Sequence, residues 1–234
     1  MNDIFGPGSN VGKRVFRDHE ELRKKVEACR ALNLRIVLTS GTFDLLHIGH
    51  CRYLEEAKGI LGNPNETVLV VGVDSDEKVK ARKGRSTIVE EDERIEILCH
   101  QRHVDLVFLK QSTDEHWQLI KTVGPDMLIV SETTKERPKT DEEREKLLVF
   151  CKDVRMLPAQ ATTSTTARIR LLLISFAAQL REKIDTFYQE VTTILDSAGQ
   201  SHGFAPRLRK KADAFHMEMS NFFQKLRGGD HGSI

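Results

Sequence analysis

The stretch Arg35–His50, RIVLTSGTFDLLHIGH, runs from an apolar segment into two histidines that stand three positions apart around Gly49. Arg35–Thr39 is short, apolar and β-branched, which predicts a buried strand. Ile48–Leu61 carries apolar residues at helical spacing, which predicts a helix. The histidines therefore fall on a strand-to-helix turn. In open parallel α/β sheets, ligands bind outside the carboxyl ends of the strands. Chemistry is expected at this turn.

Outward from it the same alternation repeats. Thr67–Val73, Val104–Leu109, Met127–Val130 and Val154–Leu157 read as further strands. Glu90–His100, Glu115–Val123 and Asp141–Cys151 read as helices between them. An earlier helix, Asp18–Leu32, precedes the first strand, with Asp18 as its N-cap. Strands alternating with helices predict an α/β fold: a Rossmann-like, doubly wound, five-stranded parallel sheet. Almost wholly apolar strands fit a sheet covered on both faces.

After about Arg168 the pattern becomes all-helical. Leu173, Ala177, Leu180, Ile184, Phe187, Val191 and Ile194 step by alternating fours and threes. Beyond the break SAGQSHGFAP, the residues Leu208, Ala212, Phe215, Met219, Phe222 and Leu226 do the same. Each set reads as a heptad seam, and together they predict a C-terminal helical hairpin. Such seams need a cover, which could be each other, the α/β domain or a second chain. A homodimer using these helices is expected. Residues 1–17 read as a flexible lead-in, and 228–234 as a disordered tail.

Composition narrows the function. A net charge of +1 argues against a nucleic-acid-coating protein. No apolar run is long enough to span a bilayer, and the first residues lack signal-peptide character. A cytoplasmic protein, acting neither on nucleic acid nor at a membrane, is expected. Cys29, Cys51, Cys99 and Cys151 form no CxxC pair and read as reduced thiols. Cys99, His100 and His103 lie across a helix end and the next strand and are not read as a metal site. GPGSNVGK, Gly6–Lys13, looks like a phosphate loop. No strand precedes it, however, and Arg14 stands where that motif needs Ser or Thr.

The turn residues suit a phosphate clamp. Imidazoles can donate hydrogen bonds to phosphate oxygens. Gly49 allows close approach to the backbone, and a helix N-terminus favours an anion. Gly41 and Thr42 keep the turn open. The string G-T-F-D-x-x-H-x-G-H resembles the signature of the cytidylyltransferase-like nucleotidyltransferase superfamily. A second superfamily signature stands as Ser164-Thr165-Thr166, opening the next helix with three hydroxyls.

That resemblance covers roughly Val15–Ile169 and implies a transferase domain at 18–168, with the helical appendage at 169–227. It implies catalytic roles for His47, His50, Lys83 and Arg94. It implies nucleotide contacts at Gly41, Thr42, Phe43, His47, Gly49, His50, Lys80, Glu132, Ala161, Ser164, Thr165 and Thr166. Lys83, beside Gly84, is favoured over Lys80 as the lysine that reaches the triphosphate. Asp44 is a structural or nucleotide contact and not a metal ligand. The resemblance also implies Mg²⁺ accompanying a nucleoside triphosphate, and a small phosphorylated acceptor. The charged stretch Asp74–Ser86 reads as a mobile loop that orders over the triphosphate.

Within the superfamily, the stretches from Glu20 to Gly59 and from Val70 to Leu98 look most like the D-glycero-β-D-manno-heptose 1-phosphate adenylyltransferases. Glycerol-3-phosphate cytidylyltransferases come next. ATP is favoured because Ala159 and Gln160 follow Pro158, where cytidylyltransferases carry an arginine. Ser131-Glu132-Thr133-Thr134-Lys135 departs from both branches. That departure motivates a different reading, in which the chain is a non-catalytic nucleotide sensor.

Overall fold

A computed structural model of the chain describes residues 9–132, 140–161, 165–197 and 204–228. The chain divides into two compact units, Met1–Thr165 and Thr166–Ile234.

The first unit runs α1 (Val11–Arg14), β1 (Val15–Phe16), α2 (His19–Ala31), β2 (Arg35–Gly41) and α3 (Ile48–Gly59), followed by a short 3₁₀ turn. It continues as β3 (Thr67–Asp74), α4 (Asp76–Lys83), α5 (Glu91–Cys99), β4 (Leu106–Lys110) and α6 (Gln118–Val123). It closes with β5 (Met127–Ser131), α7 (Asp141–Leu148) and β6 (Val154–Leu157). The strands form one parallel sheet in the order β1-β4-β3-β2-β5-β6. The strand order reverses at β2, so the topological switch point lies between β2 and β5. The histidine turn follows β2, at that crevice.

Period-two alternation divides the core between the two faces. Val37, Leu69, Val71 and Leu109 pack with Leu54 of α3 and Leu98 of α5 on one side. Ile36, Leu38, Val68 and Val70 pack with Leu22 and Val26 of α2 and Leu119 of α6 on the other. Asp18 caps α2 as expected, accepting from the amides of Glu20 and Glu21 at 2.9 Å.

Three expectations change. The sheet has six strands, because Val15 and Phe16, read as lead-in, pair with Val107 and Phe108. Arg14 holds them there. It is buried, and its guanidinium donates to the carbonyls of Asp105 (2.9 Å), Ser9 (2.9 Å), Cys99 (2.8 Å) and Val104. Secondly, most of the charged stretch read as a loop is α4. Ser75 caps it by accepting from the Lys78 amide at 3.1 Å, and Gly84 ends it at φ 68°. Acidic residues in its first turn and basic ones in its last complement the helix dipole.

The third change is in the second unit, which consists of α8 (Thr165–Ser197) and α9 (Phe204–Gly228). They pack antiparallel. The Tyr188 hydroxyl donates to Asp213 at 2.6 Å, His216 Nε2 lies 2.7 Å from Asp185, and the Tyr188 and His216 rings stack at 4.2 Å. Each expected seam is split. Ala177, Ile184, Val191, Ala212 and Met219 are half-buried, as are Tyr188 and His216. Leu173, Leu180, Phe187, Ile194, Leu208, Phe215 and Phe222 are exposed. The side chain of Leu226 is outside the described residues.

Candidate active site

The turn between β2 and α3 is built on unfavourable backbone. Phe43 and Leu45 sit at φ 53° and 46°, the left-handed region that costs a side-chain-bearing residue on the order of 1 kcal/mol or more. The surroundings hold it in place. The Phe43 ring is buried in the core. The buried Asp44 carboxylate accepts from the amides of Ile88 (3.2 Å) and Val89 (3.1 Å), tying the turn to the loop before α5.

His47 is the N-cap of α3, and it caps in an uncommon way. Its Nδ1 accepts from the Gly49 amide at 3.1 Å, while Nδ1 of His50 accepts from the His47 amide at 3.3 Å. Two of the helix's orphan N–H groups are thus satisfied reciprocally. With each Nδ1 accepting, the proton of each neutral ring sits on Nε2, the assignment that the hydrogen-bond geometry requires. The rings lie 4.0 Å apart, and Phe43 lies 5.5 Å from His50. Burial, and then the neighbouring His47, lower the His50 pKa to about 4. At neutral pH, His50 is an uncharged Nε2–H donor at a helix N-terminus.

Gly49 is required by contact. A Cβ there would lie 2.9 Å from Cε1 of His47 and 3.0 Å from Cβ of Ala161. The loop after β6 therefore crosses directly over the start of α3. Gly49→Ala must displace either the His47 ring or Ala161. A displacement near 1 Å can cost about 10²-fold in rate. We expect kcat/KM to fall about 10–100-fold with Tm little changed, since the helix propensity gained offsets part of the clash. Steady-state kinetics beside a melting curve checks this, and unimpaired kcat/KM would refute it.

Cations gather around Thr42. Its Oγ1 accepts from Lys83 Nζ at 3.0 Å and from Arg82 at 3.1 Å. Arg82 also pairs with the buried Asp74 at 2.8 Å, and Lys110 pairs with the other Asp74 oxygen at 3.1 Å. Burial lowers the Lys83 pKa, and the nearby Arg82 and Arg85 lower it further. An anion placed here would relieve that crowding. Lys80 is exposed on α4. Arg94 is placed differently from an open phosphate ligand. It is 1% exposed. It donates to the carbonyls of Val89 (3.0 Å), Thr42 (2.5 Å) and Asp74 (2.9 Å) and to the Asp76 carboxylate (2.7 Å). Four of its five N–H donors hold the framework of the site together.

The structure thus brings Gly41, Thr42, Phe43, His47, Gly49, His50, Lys83 and Ala161 around the carboxyl end of β2. Glu132 follows β5 on the other side of the switch point, its amide donating to the Leu157 carbonyl at 3.0 Å. Ser164 lies outside the described residues. Thr165 and Thr166 open α8, and their side chains are also outside. Sequence reasoning missed Arg82, Asp74 and Lys110. The signal was present: Asp74 and Lys110 are charged residues that end two buried strands, paired in register.

Residues 38–172 match the cytidylyltransferase-like family. A bifunctional protein HldE from Aliarcobacter butzleri is 30% identical over 175 residues, covering 73% of this chain and 35% of that protein. One from Citrifermentans bemidjiense is 42% identical over 125 residues, covering 53% of this chain and 24% of that protein. The chain therefore spans about a third or less of these relatives. A crystal structure of the lipopolysaccharide core biosynthesis protein from Thermoplasma volcanium overlays with a TM-score of 0.44 at 27% identity, covering 54% of this chain and 96% of that one. With the family match over more than half its length, and the histidine turn at the switch point of the sheet, this chain belongs to the cytidylyltransferase-like family of nucleotidyltransferases.

Proposed function

We propose that the chain moves a nucleotidyl group from a nucleoside triphosphate, with ATP favoured, to the phosphate of a small molecule such as a sugar phosphate, releasing pyrophosphate. One observation carries this reading: His47 and His50, both Nε2–H tautomers, at the N-terminus of α3. The acceptor phosphate oxygen attacks the α-phosphorus. A new P–O bond forms, the bond to the β-phosphate breaks, and pyrophosphate leaves with its electron pair. No covalent enzyme intermediate is needed. Catalysis consists of positioning and electrostatic stabilisation. His47 and His50 donate to the oxygens at the reacting phosphorus. Lys83 and Arg82 exchange the Thr42 hydroxyl for phosphate oxygens. Arg94 keeps Thr42 and Asp74 in place. Ser164, Thr165 and Thr166 would hold the β- and γ-phosphates.

Mg²⁺ belongs to the same proposal. Among the described residues no group of three His, Cys, Asp or Glu side chains could hold a metal ion. The acidic groups nearest the turn, Asp44 and Asp74, already bind amides and cations. The ion would be bound by the triphosphate's own oxygens and water, where it offsets phosphate charge.

Among the described residues no helix is long and apolar enough to cross a membrane. We take the protein to act in the cytoplasm, as a homodimer to which the C-terminal helices contribute.

The test is pyrophosphate release with ATP or CTP against a panel of sugar 1-phosphates and polyol phosphates. ATP-dependent release that requires a sugar phosphate is expected. CTP-dependent release with glycerol 3-phosphate would move the chain to the cytidylyltransferase branch. Nucleotide binding without turnover across the panel would refute the transferase reading in favour of a sensor.

A further inference from the structure

The hairpin of α8 and α9 leaves one apolar face uncovered. Leu173, Leu180, Phe187 and Ile194 form an exposed column on α8 at intervals of seven, and Leu208, Phe215 and Phe222 form one on α9. Phe187 is 62% exposed and Phe215 52%, values foreign to aromatics on a satisfied surface. Along the middle of the hairpin the column residues precede half-buried inward residues by one position: Leu180 before Arg181, Phe187 before Tyr188, Phe215 before His216. One residue is a rotation of about 100° about the helix axis. Both columns are turned in the same sense, each about its own axis. In antiparallel helices, equal turns of that kind bring both columns to the same side of the pair.

The register is fixed as well. Tyr188 meets Asp213, and Asp185 meets His216. Leu180 is therefore level with Phe222, Phe187 with Phe215, and Ile194 with Leu208. The face is a ladder of three apolar rungs, with Leu173 beyond it.

We propose that this ladder is the contact between two copies of the chain, which bury it as an antiparallel four-helix bundle. The column from Leu173 to Ile194 is about 32 Å long, and two adjacent helices are about 20 Å wide. Covering it by a like face buries on the order of 1,200 Å² in total, the lower limit of a stable specific interface. The rims fit a like copy too. Exposed Lys183 and Glu190 edge the face on α8, and Lys211 and Glu218 edge it on α9. Each rim carries one charge of each sign, so two copies related by a two-fold axis can match charges. An anionic lipid surface would call for a uniformly basic rim.

The experiment is light scattering of the full chain at micromolar concentration, with pyrophosphate release measured in parallel. Wild type is expected at twice 26.6 kDa. Phe187→Glu with Phe215→Glu, the middle rung, is expected to raise the dimer dissociation constant at least about 100-fold, because central aromatic anchors dominate such contacts. Met217→Glu, an exposed apolar residue outside the ladder, is expected to leave the dimer intact. If the double glutamate variant loses helicity by circular dichroism, Phe187→Ser with Phe215→Ser takes its place. A monomeric wild type overturns the proposal, whether or not it binds anionic vesicles. So does a dimer indifferent to the rung substitutions. Either result leaves the transferase reading standing if pyrophosphate release persists.

Discussion

His47→Ala and His50→Ala are each expected to lower kcat about 10²–10³-fold, the usual loss for one preorganised donor to developing charge. His47 also caps α3, and losing a cap costs about 0.5–2 kcal/mol, so a slow alanine variant could merely have a frayed helix. His47→Asn separates the two roles. Asparagine is among the best N-caps, so stability should stay near wild type. Its shorter amide cannot reproduce the Nε2–H donor, so turnover should stay low. If His47→Asn restored turnover, the residue would be a cap and no more. The pH dependence carries a sign. Because the folded-state pKa of His50 is lowered from 6.5 to about 4, protonation favours the unfolded chain. The neutral ring's contribution to stability is complete above the ordinary histidine pKa. It declines as pH falls from about 6.5 towards 4. Likewise, kcat/KM of the free enzyme should show no loss from His50 protonation between pH 8 and pH 5.

Arg94→Ala is expected to be the most destabilising single change in the α/β unit, by about 3–5 kcal/mol, the range for removing one partner of a buried charged network. Its side chain is fully buried, and its removal leaves the Thr42, Asp74 and Val89 carbonyls without their donor. Arg94→Lys should recover less than half, since an ammonium cannot reproduce the guanidinium fork. Urea denaturation reads both variants. A midpoint within experimental error of wild type for Arg94→Ala would refute the framework role. Because Arg94 ties Thr42 to Asp74, any surviving Arg94→Lys enzyme should show a raised KM for nucleotide before a lowered kcat.

Arg94 also shows where sequence reading reached its limit. The residue was legible as important, but an arginine near a phosphate site reads the same whether it meets the ligand or holds the walls. Only its four bonds, all to protein oxygens, separate the two. The sheet, the switch point and the histidine turn were legible because apolar periodicity and glycine placement determine them locally. β1 was not, since two residues carry no period and their pairing depends on Arg14 reaching carbonyls far along the chain. α4 could have been found. Ser75 and Gly84 are strong cap signals, and the density of charge between them drew the reading towards a loop. The hairpin itself was legible, but its inward faces were not, for a subtler reason. Two apolar stripes run side by side on each helix, and spacing alone cannot tell which one faces inward. The polar pairs Tyr188–Asp213 and Asp185–His216 settle it.

The position of β1 has a consequence for how the chain is made. Val15 must wait for its partner, because Val107 follows 92 positions later. At about 5–20 residues per second, the ribosome takes roughly 5–20 s to deliver β4. During that interval β2 and β3 can pair at once, while Val15 and Phe16 wait without a neighbour. The β1 edge of the sheet therefore closes only once β4 has emerged, after the central pair of β2 and β3 can form. A nascent chain stalled before Leu106 should present that segment to chaperones, and one stalled after Lys110 should not.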